Sequence, residues 1–343
     1  MAVVHEVKIN DIREKYKTTS FSNFKKTELC KKLQNSIYYN KREEAFFWTC
    51  EMLCSNMLLE IWDTYLILMS KYIHIYNPKL PLYLNKKYSE FRDIVGADDS
   101  LRNIQNNQNL RLIFCSITTV LSCSEKLTIL DHLQHKFVFK IESLYENLKA
   151  PNTTFVDLVY KQDDPVEYLI PFNEFIYHLT ETKQKVAIIY WLNWIIEYDI
   201  LCRKKKKNIG CVARDIYQNQ KKNLETNIIW IIWDAIFIVM KDGKISHNVV
   251  NIVNSIYNLF MIRYCVSINK KRMCLICHAI ELVLLHKEVK YNIPILNKSD
   301  ELKNMEENIY IVMEQIKKNE IKTLPDVGPT KKMDMYQNIY MNL

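Results

Sequence analysis

Glycine sets the tightest constraint on this chain, because its 343 residues include only four. They are Gly96, Gly210, Gly243 and Gly328. Glycine reaches positive φ without steric cost and lets another backbone approach closely. The phosphate-cradling loops of the Walker and Rossmann types need several glycines within a few residues. No two glycines here are that close, so nucleotide binding through a standard loop is excluded. The GxSxG nucleophile elbow is excluded on the same ground. Tight primed hairpin turns also prefer glycine, which argues against a hairpin-rich β fold. The expected class is all-α.

Apolar spacing supports that class. Leu58, Ile61, Trp62, Tyr65 and Met69 fall on one helical stripe. Ala187, Tyr190, Trp191, Trp194, Ile195 and Tyr198 form a second, and Val249, Ile252, Val253, Ile256 and Phe260 a third. Ile276, Ala279, Ile280 and Val283 form a fourth, and Met305, Ile309, Val312, Met313 and Ile316 a fifth. The longest apolar run, residues 228–240, is interrupted by Asp234 and falls short of the about 20 residues a membrane span needs. It reads as a core helix buried on all sides. With 48% hydrophobic residues the chain has material for a real core, and no membrane partner is expected. Ten cysteines sit mostly in apolar stretches, and residues 1–10 do not resemble a secretory signal. The expectation is an intracellular protein, cytoplasmic or nuclear, whose thiols are free and act as small hydrophobes.

Breakers divide the chain into a polar lead-in at 1–20, a first helical unit at 21–150 and a second at 151–295. A C-terminal helix and polar tail occupy 296–343. Pro151, Pro165 and Pro171 mark the expected boundary. The two units look alike. AFFWTCEML from Ala45 and IWDTYLILM from Ile61 match AIIYWLNWI from Ala187 and IWDAIFIVM from Ile232. Trp48 then pairs with Tyr190, Trp62 with Trp233, and Asp63 with Asp234. This pattern predicts two units related by internal duplication, the second enlarged by a basic insertion at 203–227 that should emerge as a surface loop.

The first unit resembles a known family. NSIYYNKREEAFFWTCEML, followed by a Trp-containing helix and SKYIHIYNPKLP, is similar to the helical C-terminal region of RarA/MgsA-type replication–recombination ATPases, a clamp-loader-related group. Ser36, Ile37, Glu44, Ala45, Phe47, Trp48, Met52, Leu53 and Pro78 match the family pattern. The family's Ser-Glu-Asp-Ile-Gly stands here as Ser70-Lys71-Tyr72-Ile73-His74, and no ATPase module accompanies it. The resemblance covers about a seventh of the chain and consists mostly of core positions. It implies a helical fold and a role in DNA replication or recombination. With the Ile-, Lys-, Asn- and Tyr-rich composition, it implies a large-DNA-virus protein of standalone form, present in a virus factory or virion.

The candidate chemistry is sparse. Arg203, Lys204, Lys205, Lys206 and Lys207 form a basic run that could bind phosphates, serve as a nuclear-import signal or be a solvated loop. Lys221, Lys222, Lys270, Lys271 and Arg272 are further candidates for nucleic-acid contact. The net charge of +8 permits an acidic partner without requiring one. Cys274, Cys277 and His278 have metal-like spacing, but no second CxxC exists, and thiols at i and i+3 of an apolar helix pack as core. His132 and His135 are similar in kind. Asp63 and Asp234 each follow a Trp inside an apolar stretch, so each needs a structural hydrogen-bond partner. Trp48, Trp62 and Trp233 are expected to be structural. No catalytic residue, metal or cofactor is assigned. The expected function is a non-enzymatic helical adaptor in viral DNA replication or recombination that has a protein partner or associates with itself. The alternative is a structural or virion-associated protein with a protein–protein role only.

Overall fold

The computed structural model describes residues 6–13, 16, 18–97, 101–127, 137–139, 144–207, 209–217, 224–241, 245–296 and 299–322. Among them are twelve α-helices and no strand. In chain order they are α1 (Lys26–Tyr38), α2 (Arg42–Cys54), α3 (Leu58–Leu68), α4 (Leu80–Gly96), α5 (Leu101–Asn106) and α6 (Gln108–Cys123). Then follow α7 (Leu169–Tyr177), α8 (Lys185–Lys204), α9 (Ile229–Met240), α10 (His247–Phe260), α11 (Met273–Leu284) and α12 (Ser299–Lys317). A single π-helical turn extends α3 over Met69–Ile73, and another extends α7 over His178–Thr182. No helix among the described residues is long and apolar enough to cross a membrane.

The helices group into two compact units. Unit 1 takes in the described residues of Met1–Tyr65, Ser89–Cys123 and Lys298–Leu343, and unit 2 those of Leu66–Tyr88 and Ser124–Asn297. This is not the linear cut after residue 150 that the prolines suggest. Two packing facts cause the difference. α12 lies against α2 and α6, and the π turn at 69–73 lies against α11. The lead-in is not loose either. Val7 and Ile9 are buried, the Ile9 N–H donates to Asn106 Oδ1 at 2.9 Å, and Arg111 donates to the Val7 carbonyl at 2.8 Å. The expected polar tail from 323 onward lies outside the described residues.

In unit 1 the buried Trp62 ring meets Phe91 of α4 at 5.7 Å and Phe114 of α6 at 5.6 Å, edge-on. The neighbouring Tyr65 hydroxyl donates to the Phe114 carbonyl at 3.0 Å and shares a 2.7 Å bond with Thr118 Oγ1. In unit 2, α9 is the core helix its apolar run predicts, with Trp230, Ile231, Ile232, Trp233 and Ile236 all fully buried. Trp233 packs on Phe237 of its own helix and on Tyr257 and Phe260 of α10. Ser246 starts α10 by accepting from the Val249 N–H, which satisfies one of the donors a helix start leaves open. Trp48 is half-buried, edge-on to Phe24 at 5.4 Å, with Lys32 Nζ 4.5 Å from its ring centre.

Trp62 and Trp233 are each the fifth residue of their helices. Their neighbours differ, since one ring is held by α4 and α6 and the other by its own helix and α10. The duplication is not confirmed.

The chain solves its glycine shortage in a visible way. Among the described residues, seven that are not glycine have positive φ: Asn23, Asn40, Asn56, His74, Lys183, Lys206 and Arg263. Three of them close helices in one pattern. At the end of α1, Asn40 N–H bonds the Ile37 carbonyl and Lys41 N–H the Ser36 carbonyl. At the end of α2, Asn56 bonds Leu53 and Met57 bonds Met52. At the end of α8, Lys206 bonds Arg203 and Lys207 bonds Cys202. This is the Schellman closure, whose left-handed position usually takes glycine and next asparagine. Lysine there is strained.

The thiols are free and mostly interior. Cys50, Cys54, Cys115, Cys202, Cys211 and Cys274 are buried, whereas Cys265 is exposed. Burial pushes the Cys50 and Cys54 thiols well up, and pushes Cys274 and Cys277 up to about 12. Such groups remain protonated and inert.

Candidate nucleic-acid interface

α8 carries the basic run at its C-terminal end. Its sequence turns from apolar to Arg203-Lys204 in the last turn, where cations complement the negative end of the helix dipole. The Schellman closure then fixes the backbone of Lys205, Lys206 and Lys207. Lys204, Lys205, Lys206 and Lys207 are all exposed, and none has an acidic partner among the described residues. Arg203 is different. Its Nε and Nη2 grip Asp199 Oδ2 at 3.1 and 2.8 Å, one turn earlier on α8. Burial raises the Asp199 carboxyl against the pull of Arg203, so Arg203, unlike the four lysines, already has an acidic partner.

The described residues of the insertion beyond Lys207, 209–217 and 224–227, do not all lie at the surface as the sequence suggests. Its backbone doubles back where Cys211 N–H donates to the Thr226 carbonyl at 2.7 Å. Gly210 permits this approach, because a Cβ there would stand 3.1 Å from both the carbonyl oxygen and the Cβ of Thr226. Arg214 is buried and bonds Asp164, whose oxygens also accept from the Lys161 and Val212 N–H groups at 2.7 and 2.9 Å. Arg214 Nε stands 3.5 Å from Asp234 Oδ2. Asp234 thus faces a cation at ion-pair distance, not the hydrogen bond its position led us to expect, and burial raises its carboxyl while Arg214 opposes. Asp63 is half-buried and also has an interaction partner.

Of the other basic candidates, Lys270 is exposed and pairs with Glu197 at 2.5 Å, and Lys271 is exposed. Arg272 is a correction. It is 5% exposed, and its Nη1 donates to the Phe260 and Ile262 carbonyls at 2.8 and 2.5 Å. It closes the end of α10 instead of facing solvent. A Lys-Lys-Arg string gives no sign of this, because α11 begins at the next residue and carries the arginine inward. Lys221 and Lys222 lie outside the described residues, as do His132 and His135.

Cys274, Cys277 and His278 lie on α11 as core. Burial holds His278 neutral, down at about 3. Among the described residues no three His, Cys, Asp or Glu side chains gather as metal ligands.

The sequence reading missed a buried ionic cluster in unit 2. Glu281 of α11 stands 2.6 Å from His74 Nδ1, at ion-pair distance, and also binds Lys185 of α8. His278, one turn earlier, stands 3.4 Å from Ser70 Oγ and edge-on to the His74 ring. His74 and Lys185 hold Glu281 down at about 2 although burial alone would raise it. His74 has φ 26 and ψ −109, a strained backbone at the end of the π turn. The available signal was a Glu inside the apolar run IELVL, the same signal that singled out Asp63 and Asp234. With His74, His278 and Glu281 buried and Lys185 reaching in from a half-buried position, the cluster acts as a joint that ties the π turn to α11.

Comparison with family models, with curated proteins and with solved structures finds no match to this chain.

Proposed function

We propose that this chain is a non-enzymatic helical adaptor that contacts nucleic acid through Lys204–Lys207. One observation carries the reading: four consecutive lysines stand exposed and without acidic partners on a fixed helix end, while the acids nearest in sequence are already paired. Two effects compete there. The dipole of α8 stabilises each nearby cation by about 0.3–1 kcal/mol and repels phosphate by a similar amount. Counter-ion release at low salt outweighs that repulsion, because each duplex phosphate contact contributes about 0.9 to the log–log salt slope. Contact with phosphates carries no sequence preference. The setting, replication or recombination of a large DNA virus, rests on the resemblance of Ser36–Leu84 to the RarA/MgsA-type region.

An exposed Trp or Tyr patch would favour the structural-protein alternative. Five of the six tryptophans are buried and Trp48 is half-buried, while the exposed tyrosines Tyr39, Tyr76 and Tyr145 lie on different segments of the chain, so the tryptophans lend that alternative no support. The test is duplex binding measured against salt for the wild type and a variant with Lys204–Lys207 replaced by Gln. The variant should bind more weakly on every sequence, with a slope lower by about 0.9 per lost contact. Absence of salt-sensitive binding by the wild type at low ionic strength would refute the reading.

A further inference from the structure

Unit 2 contains a cavity of about 330 Å³, within the range of small-ligand sites. Burial orders its lining. Leu179 and Val283 are 1% and 4% exposed and form the floor. Ile238 and Val239 of α9 form a wall and are half-buried. Leu158 is 50% exposed, and with the exposed Glu181 and Lys183 it stands at the mouth. The wall is out of character for its helix. Trp230, Ile231, Ile232, Trp233 and Ile236 of α9 are wholly buried, whereas Ile238 and Val239, equally aliphatic, are left partly uncovered. Covering such surface is favourable for any ligand of matching character.

The polar part of the lining selects no charge. The Thr180 hydroxyl donates to the Ile176 carbonyl at 2.9 Å, and His286 Nδ1 donates to the Val283 carbonyl at 2.9 Å, so the backbone already engages both. Glu181 and Lys183 have opposite signs and stand in solvent, where salt screens each of them. Apolar fit is what remains to discriminate between ligands.

We propose that this cavity binds a small uncharged aliphatic molecule, with its hydrocarbon body on Leu179, Val283, Ile238 and Val239 and any hydroxyl at the mouth. An ion of the same shape loses part of its hydration on entry, and no net counter-charge offsets that loss. This site is independent of the lysine run at the end of α8.

The experiment is titration of the full chain with 1-butanol, 1-pentanol and 1-hexanol, and with hexylammonium and hexanoate, followed by ligand-observed NMR and calorimetry. The alcohols should bind saturably, and each added methylene should tighten binding by up to about fourfold, the fold-change that corresponds to about 0.8 kcal/mol per buried CH₂. 1-Hexanol should bind tighter than either ion. Val283→Trp should abolish binding of all five by filling the space. If that variant loses its helical circular dichroism, Val239→Trp on the half-buried wall serves the same purpose. Tighter binding of either ion than of 1-hexanol would overturn the assignment. So would affinity that does not rise with chain length, indifference to the filling variant, or no saturable binding of 1-hexanol at millimolar concentration.

Discussion

Histidine separates the two units. Among the described residues, His74, His178, His247, His278 and His286 all belong to unit 2, and unit 1 has none. One buried carboxylate from each unit shows two ways of being held, although unit 1 also pairs the interior Asp11 side chain with Arg13 and unit 2 also holds Glu174 by the Lys149 and Ala150 N–H groups. Glu51 of unit 1 is wholly buried and is held by neutral donors: the Ser20 hydroxyl, the Ser22 hydroxyl and the Ser22 N–H. Glu281 of unit 2 is held by an imidazole and an ammonium, and Asp164 by a guanidinium. A carboxylate fixed by hydroxyls and amides needs no counter-ion that must itself be desolvated. Beside Glu281, burial holds His278 neutral, down at about 3, so unfolding in acid lets that imidazole take up a proton. Unit 1 should therefore tolerate acid better than unit 2.

The largest effect should come from removing a counter-ion in unit 2. Arg214→Ala leaves Asp164 buried and uncompensated, at a cost of about 3–5 kcal/mol in denaturant unfolding. A loss below about 1 kcal/mol would mean that the Lys161 and Val212 N–H groups suffice, and the contrast with Glu51 would collapse.

Acid comes next. His278 is depressed from 6.5 to about 3, so its contribution is complete above about 6.5 and is lost as pH falls toward 3. Glu281 is depressed from 4.5 to about 2, so its contribution is complete above about 4.5 and is lost toward 2. Unit 2 should weaken by on the order of 5 kcal/mol as pH falls from neutrality to about 3, and His278→Asn should flatten the upper part of that decline. If stability does not change between pH 7 and 5, the cluster titrates elsewhere.

In unit 1, Ser20→Ala removes one of three bonds to Glu51. The cost should be about 1.5 kcal/mol, the low end for a bond to a charged group, because Ser22 retains two. A larger loss would show that Ser20 positions the whole turn.

The smallest effect compares helix ends. Lys206→Gly in unit 2 should stabilise by about 1 kcal/mol, since lysine is strained at φ 58. Asn40→Gly in unit 1 should gain less than about 0.5 kcal/mol, because asparagine tolerates that conformation. Equal gains would mean that side-chain contacts, not backbone strain, set the preference.

Helix identity was legible because a stripe of apolar residues is a local property. α9 and α10 match their sequence patterns almost to the residue. The placement of charge was not legible to the same degree. Lys204–Lys207 stay exposed, but Arg272 turns inward at the start of α11 and Arg214 anchors an insertion that seemed all surface. Those outcomes depend on Asp164 and on the Phe260 carbonyl, 50 and 12 residues away in sequence. Unit membership was hidden for the same reason. Breakers mark where the chain turns, whereas α12 joins unit 1 through side chains presented by α2 and α6.

The interior thiols give each unit its own clock. A protonated, buried sulfur cannot be alkylated until the surrounding helices open, so the labelling rate measures local opening. Cys50 and Cys54 report on unit 1, Cys274 and Cys277 on unit 2, and the exposed Cys265 supplies the rate of an unprotected thiol in the same tube. Pulsed alkylation with peptide mapping can therefore follow two separate opening equilibria in the unmodified chain, without an introduced probe.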